Sequence, residues 1–193
     1  MDDYTIAIVL WDGVEELDFA GPYEVLTAWA YYSERPRRVV TVAAGAGPVR
    51  CSHGLRVVPD TTWDELGKVD LLVLPGGNSK PLQEDEGFVQ RMRDLAAGET
   101  LMTSVCTGAL VYGQAGLLDG RPATTHWSAL ESLGKFGARV DPDARFVDDG
   151  NVVTAAGVSA GIDMALHLIA RLDSVEQAQK VRRYIQYDPQ PPV

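Results

Sequence analysis

The sequence predicts an α/β protein: a mainly parallel sheet covered by helices on both faces. Three observations predict it. Short apolar runs such as Thr5–Leu10 (TIAIVL) and Leu71–Leu74 have the pattern of central parallel strands, which are buried on both faces. Strand-like and helix-like segments alternate along almost the whole chain. Cys106, Gly76-Gly77 and the loop after Leu10 all fall at the carboxyl ends of such strands, where α/β sheets place ligand chemistry.

Taken in order, Thr5–Leu10 is the first strand. Ala20–Tyr31 follows as a helix with Val25, Leu26 and Trp29 on one face and Pro22 tolerated near its start. Arg38–Ala44 is a second strand and Arg56–Val58 a short edge strand. Leu71–Leu74 is a third buried strand, closed by Pro75-Gly76-Gly77-Asn78. A helix over Gly87–Ala97 leads to the strand that ends at Cys106. A small-residue helix then runs from Thr107 to about Ala115, with Gly116 near its end. Arg139–Ala155 reads as a hairpin turning at Asp149-Gly150. Ser159–Leu172 is a helix with Ile162, Leu166 and Ile169 on one side, and Val175–Ile185 is the last helix. No repeat, low-complexity tract or linker divides residues 1–193, which are expected to form one domain.

Composition narrows the function classes. Of the 193 residues 46% are hydrophobic, ample for one sizeable core. A net charge of −10 argues against nucleic acid or an anionic membrane surface as partner. Cys51 and Cys106 are too few for a disulfide framework, which points to a reducing compartment. The start MDDYTIAIVL carries acid where a signal peptide carries basic residues, and no run reaches 18 apolar residues. A soluble cytoplasmic protein is the expectation.

The segment Thr100–Gly113 (TLMTSVCTGALVYG) is the richest in chemistry. It sets Cys106 at the junction of a buried strand and a helix, as in the nucleophile elbow of hydrolases. Oriented amides and the helix dipole there are expected to favour thiolate over thiol. A cysteine nucleophile needs a proton carrier and donors for developing negative charge. Asp18, between Leu17 and Phe19, is expected to enter the interior with an apolar segment. Burial would raise its pKa enough for it to donate a proton at neutral pH; the same residue also suits the N-cap of a helix beginning near Ala20. Gly76 and Gly77 let backbone pass close to a ligand. With the Thr107 amide they would form an oxyanion hole, and the Thr107 hydroxyl would either assist or cap the helix. Of three histidines, His53 and His167 read as structural or exposed. His126, with Trp127 beside it, is the only possible triad histidine. No CxxC, HExxH or clustered His/Asp set supports a metal.

The segments LDFAGPYEVL, VLPGGN, SVCTGALVYGQAGLLDGRPATTHW and AAGVSAGIDMAL together resemble the ThiJ/PfpI superfamily over nearly the whole chain. The isocyanide hydratase branch is the most similar, and the ending YDPQPP also fits it. The resemblance implies a flavodoxin-like sandwich and a homodimer. It also implies a nucleophile at Cys106, an acid at Asp18, an assisting Thr107, and hydration of an isocyanide, a small electrophile, without cofactor or metal. Peptidase-like members carry histidine directly after the cysteine, where this chain has Thr107. AraC-type regulators of the superfamily add a helix-turn-helix for which 193 residues leave no room. The hydratases continue past the position of Pro192 with a helical tail, so substrate access or dimer packing is expected to differ. Glyoxalase- or deglycase-like activity on α-oxoaldehydes, a redox sensor, and a ligand-binding module remain as alternatives.

Overall fold

The computed structural model describes residues 4–33 and 37–190; the prolines at 191 and 192 of the YDPQPP ending lie outside them. Seven strands form the central sheet: β1 (Tyr4–Val9), β2 (Arg37–Ala43), β5 (Thr61–Thr62), β6 (Leu71–Leu74), β7 (Leu101–Val105), β10 (Phe146–Asp149) and β11 (Val152–Ala155). Their order is β10-β11-β7-β6-β1-β2-β5. All neighbours pair in parallel except β10, which pairs antiparallel with β11. The fold is flavodoxin-like. The chain leaves β1 to one side for β2 and returns on the other for β6, so the carboxyl ends of β1 and β6 flank a crevice of the kind that binds ligands in open α/β sheets.

The two-residue period of a doubly covered sheet explains the unbroken apolar runs. Ile6 and Ile8 of β1, with Leu71 and Val73 of β6, face α1 (Glu16–Tyr32), α6 (Ala160–Leu172) and α7 (Val175–Tyr184). Ala7, Val9, Leu72 and Leu74 face α3 (Glu86–Ala97) and α4 (Gly108–Gln114). On α1 the expected face of Val25, Leu26 and Trp29 is buried. A five-residue α2 (Lys80–Glu84) precedes α3, whose N-cap Asp85 accepts from the Phe88 amide.

Several boundaries differ from the sequence reading, each for a tertiary reason. Helix α1 begins at Glu16 rather than near Ala20, which puts Asp18 inside the first turn and removes it from the N-cap position. Pro22 therefore lies in the helix interior, where its missing N–H leaves the carbonyl four residues back without its usual donor. Its ring packs against α6 at Gly161, where an added Cβ would lie 3.0 Å from Pro22 Cγ. Arg56–Val57 (β4) does not edge the main sheet; it pairs antiparallel with Val49–Arg50 (β3) in a separate ribbon. Only Phe146–Ala155 forms the hairpin, through Gly150-Asn151 with Gly150 at φ +79°, as a glycine-first two-residue turn demands. Arg139–Val140 (β9) instead pairs in parallel with Pro122–Ala123 (β8). Helix α6 buries Met164, Ala165, Leu168 and Ile169, whereas Ile162 and Leu166 sit at the margin of that face. Among the described residues no helix is long and apolar enough to cross a membrane.

Candidate active site

Three connections meet at the carboxyl edge of the sheet: the one from β1 into α1, the Pro75–Asn78 turn after β6, and the elbow after β7. Cys106 forms the elbow itself. Its φ of +57° is a left-handed conformation that a non-glycine residue holds only where its surroundings fix it. Its N–H is shared between the carbonyls of Ala155 (3.1 Å), the last residue of β11, and Ala156 (2.8 Å). The side chain is buried. Gly108 follows because an added Cβ there would stand 2.2 Å from the Leu74 carbonyl oxygen.

Asp18 is wholly buried, and its Oδ2 accepts from the Gly76 amide at 2.8 Å. Oδ1 has no hydrogen-bond partner. Burial pushes the carboxyl up to about 7, against the Gly76 amide and the Cys106 thiol, which pull it down; Glu15 adds an upward push. Cys106 is pushed up to about 12, first by burial and then by the Asp18 carboxylate, while the Thr107 and Val158 amides pull it down. The expectation that oriented amides alone would leave a ready thiolate is thus corrected. Removal from water outweighs them, and α4 has only seven residues to supply a dipole. What the geometry creates is a coupled pair that holds one proton between about 7 and about 12. With the thiol the weaker acid of the two, that proton rests mainly on sulfur, and the thiolate–acid arrangement is its less populated tautomer.

Gly76 and Gly77 serve the site differently from the oxyanion hole expected of them. The Gly76 amide is engaged by Asp18, and the Gly77 amide donates to Thr107 Oγ1 at 3.0 Å. Both glycines are sterically required. A Cβ at Gly76 would meet Thr107 N at 2.6 Å and Asp18 Oδ2 at 2.8 Å. Gly77 has φ +116°, and a Cβ there would lie 2.2 Å from the Gly13 carbonyl oxygen. Thr107 sits at the N-cap of α4 without capping it: its hydroxyl donates to the Gly77 carbonyl at 2.8 Å. The amides that face the sulfur belong to Thr107 and to Val158. Val158 was not among the expected site residues. It stands at φ +45° in the loop before α6, and the only local trace of its role is the neighbouring Gly157 in AAGVSAG.

His126 and Trp127 are not drawn into this pair. His126 Nδ1 bonds Ser128 Oγ at 2.7 Å, its ring packs on Gly157, and no hydrogen bond joins it to Cys106. Trp127 is 77% exposed. Thr125 instead reaches the elbow, with its hydroxyl 2.6 Å from the Cys106 carbonyl oxygen. Among the described residues one other grouping brings metal-ligating atoms together. His53 Nδ1 lies 3.4 Å from Glu15 and 3.0 Å from Glu16, and these ion pairs tie the β3–β4 turn to the start of α1. Cys51, in that turn, is buried, and its thiol is pushed up by burial and then by Glu16, Glu15 and Asp12.

A parallel α/β sheet with a buried cysteine on the elbow after one strand, faced by an acid from the first helix, defines the class. Residues 4–171 match the DJ-1/PfpI family, and the chain belongs to that family. Within it the chain is 42% identical over 188 residues to an isonitrile hydratase of Pseudomonas putida, covering 97% of this chain and 80% of that one. It is 31% identical to protein DJ-1alpha of Drosophila melanogaster, over 91% of this chain and 81% of the other. Among solved structures, a ThiJ/PfpI family protein from Pseudomonas syringae superposes with a TM-score of 0.90 at 34% identity, covering all of this chain and 78% of that one. Drosophila melanogaster DJ-1beta superposes with a TM-score of 0.87 at 24% identity, over 97% of this chain and 100% of that one.

Proposed function

We propose that the protein is an isocyanide hydratase, a hydro-lyase that converts a small isocyanide (isonitrile) to an N-substituted formamide. The observation that carries this reading is the buried Asp18–Cys106 pair: an acid from the first helix, wholly buried and fixed by the Gly76 amide, set against the cysteine of the elbow. The 42% identity to an isonitrile hydratase supports it. With the proton on Asp18, the Cys106 thiolate attacks the terminal carbon of the isocyanide. A C–S bond forms, and the Asp18 proton passes to that same carbon, giving a thioimidate. Asp18, now a carboxylate, takes a proton from water as the water oxygen adds to the C=N carbon, and it passes that proton to nitrogen, leaving the hydroxyl proton to return to the pair in the next step. The C–S bond then breaks, the formamide leaves, and the pair recovers its proton. The Thr107 and Val158 amides hold negative charge at sulfur. The Gly76–Gly77 turn fixes Asp18 and the Thr107 hydroxyl in place. Nucleophile and acid are both protein groups, so the cycle as written uses no cofactor or metal.

Rearranging α-oxoaldehydes needs a proton moved between adjacent carbons, which suits a histidine shuttle. His126, bonded to Ser128, is not offered to the thiol, which favours hydration over that chemistry. The reading further takes the protein as a cytoplasmic homodimer acting on a small electrophile. It assigns no role to nucleic acid or membrane, in keeping with the net charge of −10.

The test is a panel of alkyl and aryl isocyanides and methylglyoxal, with products followed by mass spectrometry. Formamide is expected, with little lactate. Cys106→Ala should abolish turnover, and His126→Asn should lower it by less than about tenfold, short of the loss expected for an essential acid or base. Lactate that disappears with His126→Asn, alongside no isocyanide turnover, would move the assignment to α-oxoaldehydes.

A further inference from the structure

The Thr124-Thr125-His126-Trp127 block is the sequence motif that the proposed reaction leaves without a task. Its histidine turns away to Ser128, but its second threonine does not. Thr125 is buried, and its hydroxyl donates to the Cys106 carbonyl at 2.6 Å. The next donor to that carbonyl, the Ala109 amide, is at 3.4 Å. The strip carrying Thr125 is itself anchored to β11, since the Thr124 amide donates to Thr154 Oγ1 at 2.9 Å. Cys106 is therefore clamped at both ends of its backbone, its N–H by Ala155 and Ala156 and its carbonyl by Thr125.

The consequence follows from peptide planarity. The Cys106 carbonyl and the Thr107 N–H belong to one planar trans unit and point in opposite directions. Fixing the carbonyl therefore fixes where the Thr107 amide points, and that amide lowers the Cys106 thiol's pKa. We propose that Thr125 is a positioning residue for the nucleophile, whose hydroxyl holds the Cys106–Thr107 peptide plane so that the Thr107 amide stays aimed at Cys106 Sγ. Thr125 touches no reacting atom. It acts through the backbone of the strained elbow, whose carbonyl end keeps only the 3.4 Å Ala109 amide once the clamp is removed.

The proposal rests on the hydratase reading only for its turnover arm, because the thiol can be read without substrate. In a Cys51→Ser background, iodoacetamide alkylation of Cys106 is followed across pH for Thr125→Val, Thr125→Ala and Thr125→Ser, with near-UV circular dichroism as a check on folding. Valine keeps the shape and removes the hydroxyl, alanine covers the case in which valine does not fold, and serine restores the hydroxyl. The valine or alanine variant is expected to alkylate about tenfold more slowly at pH 8, the scale of one lost hydrogen bond. The midpoint of its pH dependence should stay near the parent's, because it follows the Asp18 proton, while the rate falls at every pH. Serine should stay within about threefold of the parent, since the bond is kept. With an isocyanide, kcat should fall with KM little changed. Hydroxyl-free variants matching the parent in rate, or a serine variant as impaired as they are, would overturn the proposal. If the parent turns over no isocyanide, the hydratase reading fails and the alkylation arm still decides the role of Thr125.

Discussion

At the scale of single residues, Asp18 and Cys106 matter because burial has coupled their ionisations. Below about 7 the pair holds two protons, so sulfur is a thiol and attack is blocked; above that value one proton leaves and the thiolate–acid form becomes accessible. Turnover is therefore expected to climb with pH, tenfold per unit on the acid side, and to level above about 7; kcat/KM measured from pH 5 to 9 checks this. The same burial has a stability consequence of definite sign. Asp18 binds its proton more tightly in the folded protein, with a pKa raised from 3.8 to about 7, than in the unfolded chain. Folding stability is then highest below 3.8 with respect to this group and is lost as pH rises from 3.8 through 7. Asp18→Asn removes the buried charge while retaining an acceptor for the Gly76 amide. It should therefore raise Tm at pH 8 and give no gain near pH 4, while turnover falls roughly 10²–10⁴-fold. A variant that is no more stable at pH 8 would mean that Asp18 is ionised in the folded protein at little cost.

At the scale of elements, α1 and α6 cross where both carry small residues, and the site depends on how closely they approach. A Cβ at Gly21 would stand 3.0 Å from Ile162 Cγ1, and one at Gly161 would stand 3.0 Å from both Pro22 Cγ and Val105 Cγ2. Pro22 is held by its ring in a helix interior, and Val105 is the last residue of β7, so neither can retreat easily. Gly161→Ala gains up to about 1 kcal/mol of helix propensity. Overpacking opposes it at roughly 1–3 kcal/mol. The clash is expected to win, with Tm falling by several degrees in a thermal melt. Because Val105 leads directly into Cys106, turnover should fall further than stability. Unchanged turnover and Tm would show that the helix interface has slack.

At the scale of the whole molecule, two separate cores share one sheet, and every proposed catalytic group lies on one edge of it. The strands that supply this edge are covered on both faces, so the loops between them carry chemistry while the runs themselves carry stability. Exposed apolar side chains remain on the same helix that carries Asp18: Leu17 is 41% and Tyr23 37% exposed. The proposed homodimer would bury them. Light scattering after size exclusion is expected to give twice the chain mass. A monomer at micromolar concentration would remove the dimer from the proposal while leaving the chemistry of a single chain intact.

The chain's own residue order determined the central strands and the long helices, that the sheet is mainly parallel and doubly covered, and that Cys106 falls at a strand-to-helix junction. Each of these is written in local periodicity or in a short motif, and local sequence is enough to read them. It did not show the short β3, β5, β8 and α2. The partners of the site groups were decided elsewhere. Asp18 meets Gly76 across 58 positions, Thr107 meets Gly77 across 30, and Thr125 meets Cys106 across 19. The Val158 amide reaches the sulfur from the loop between β11 and α6. Local sequence allowed Asp18 to be a helix cap, Thr107 to cap α4 and the Gly76–Gly77 amides to stay open. Strand register and helix packing settled otherwise, because they alone fix which hydrogen-bond donors and acceptors come within 3 Å once water is excluded.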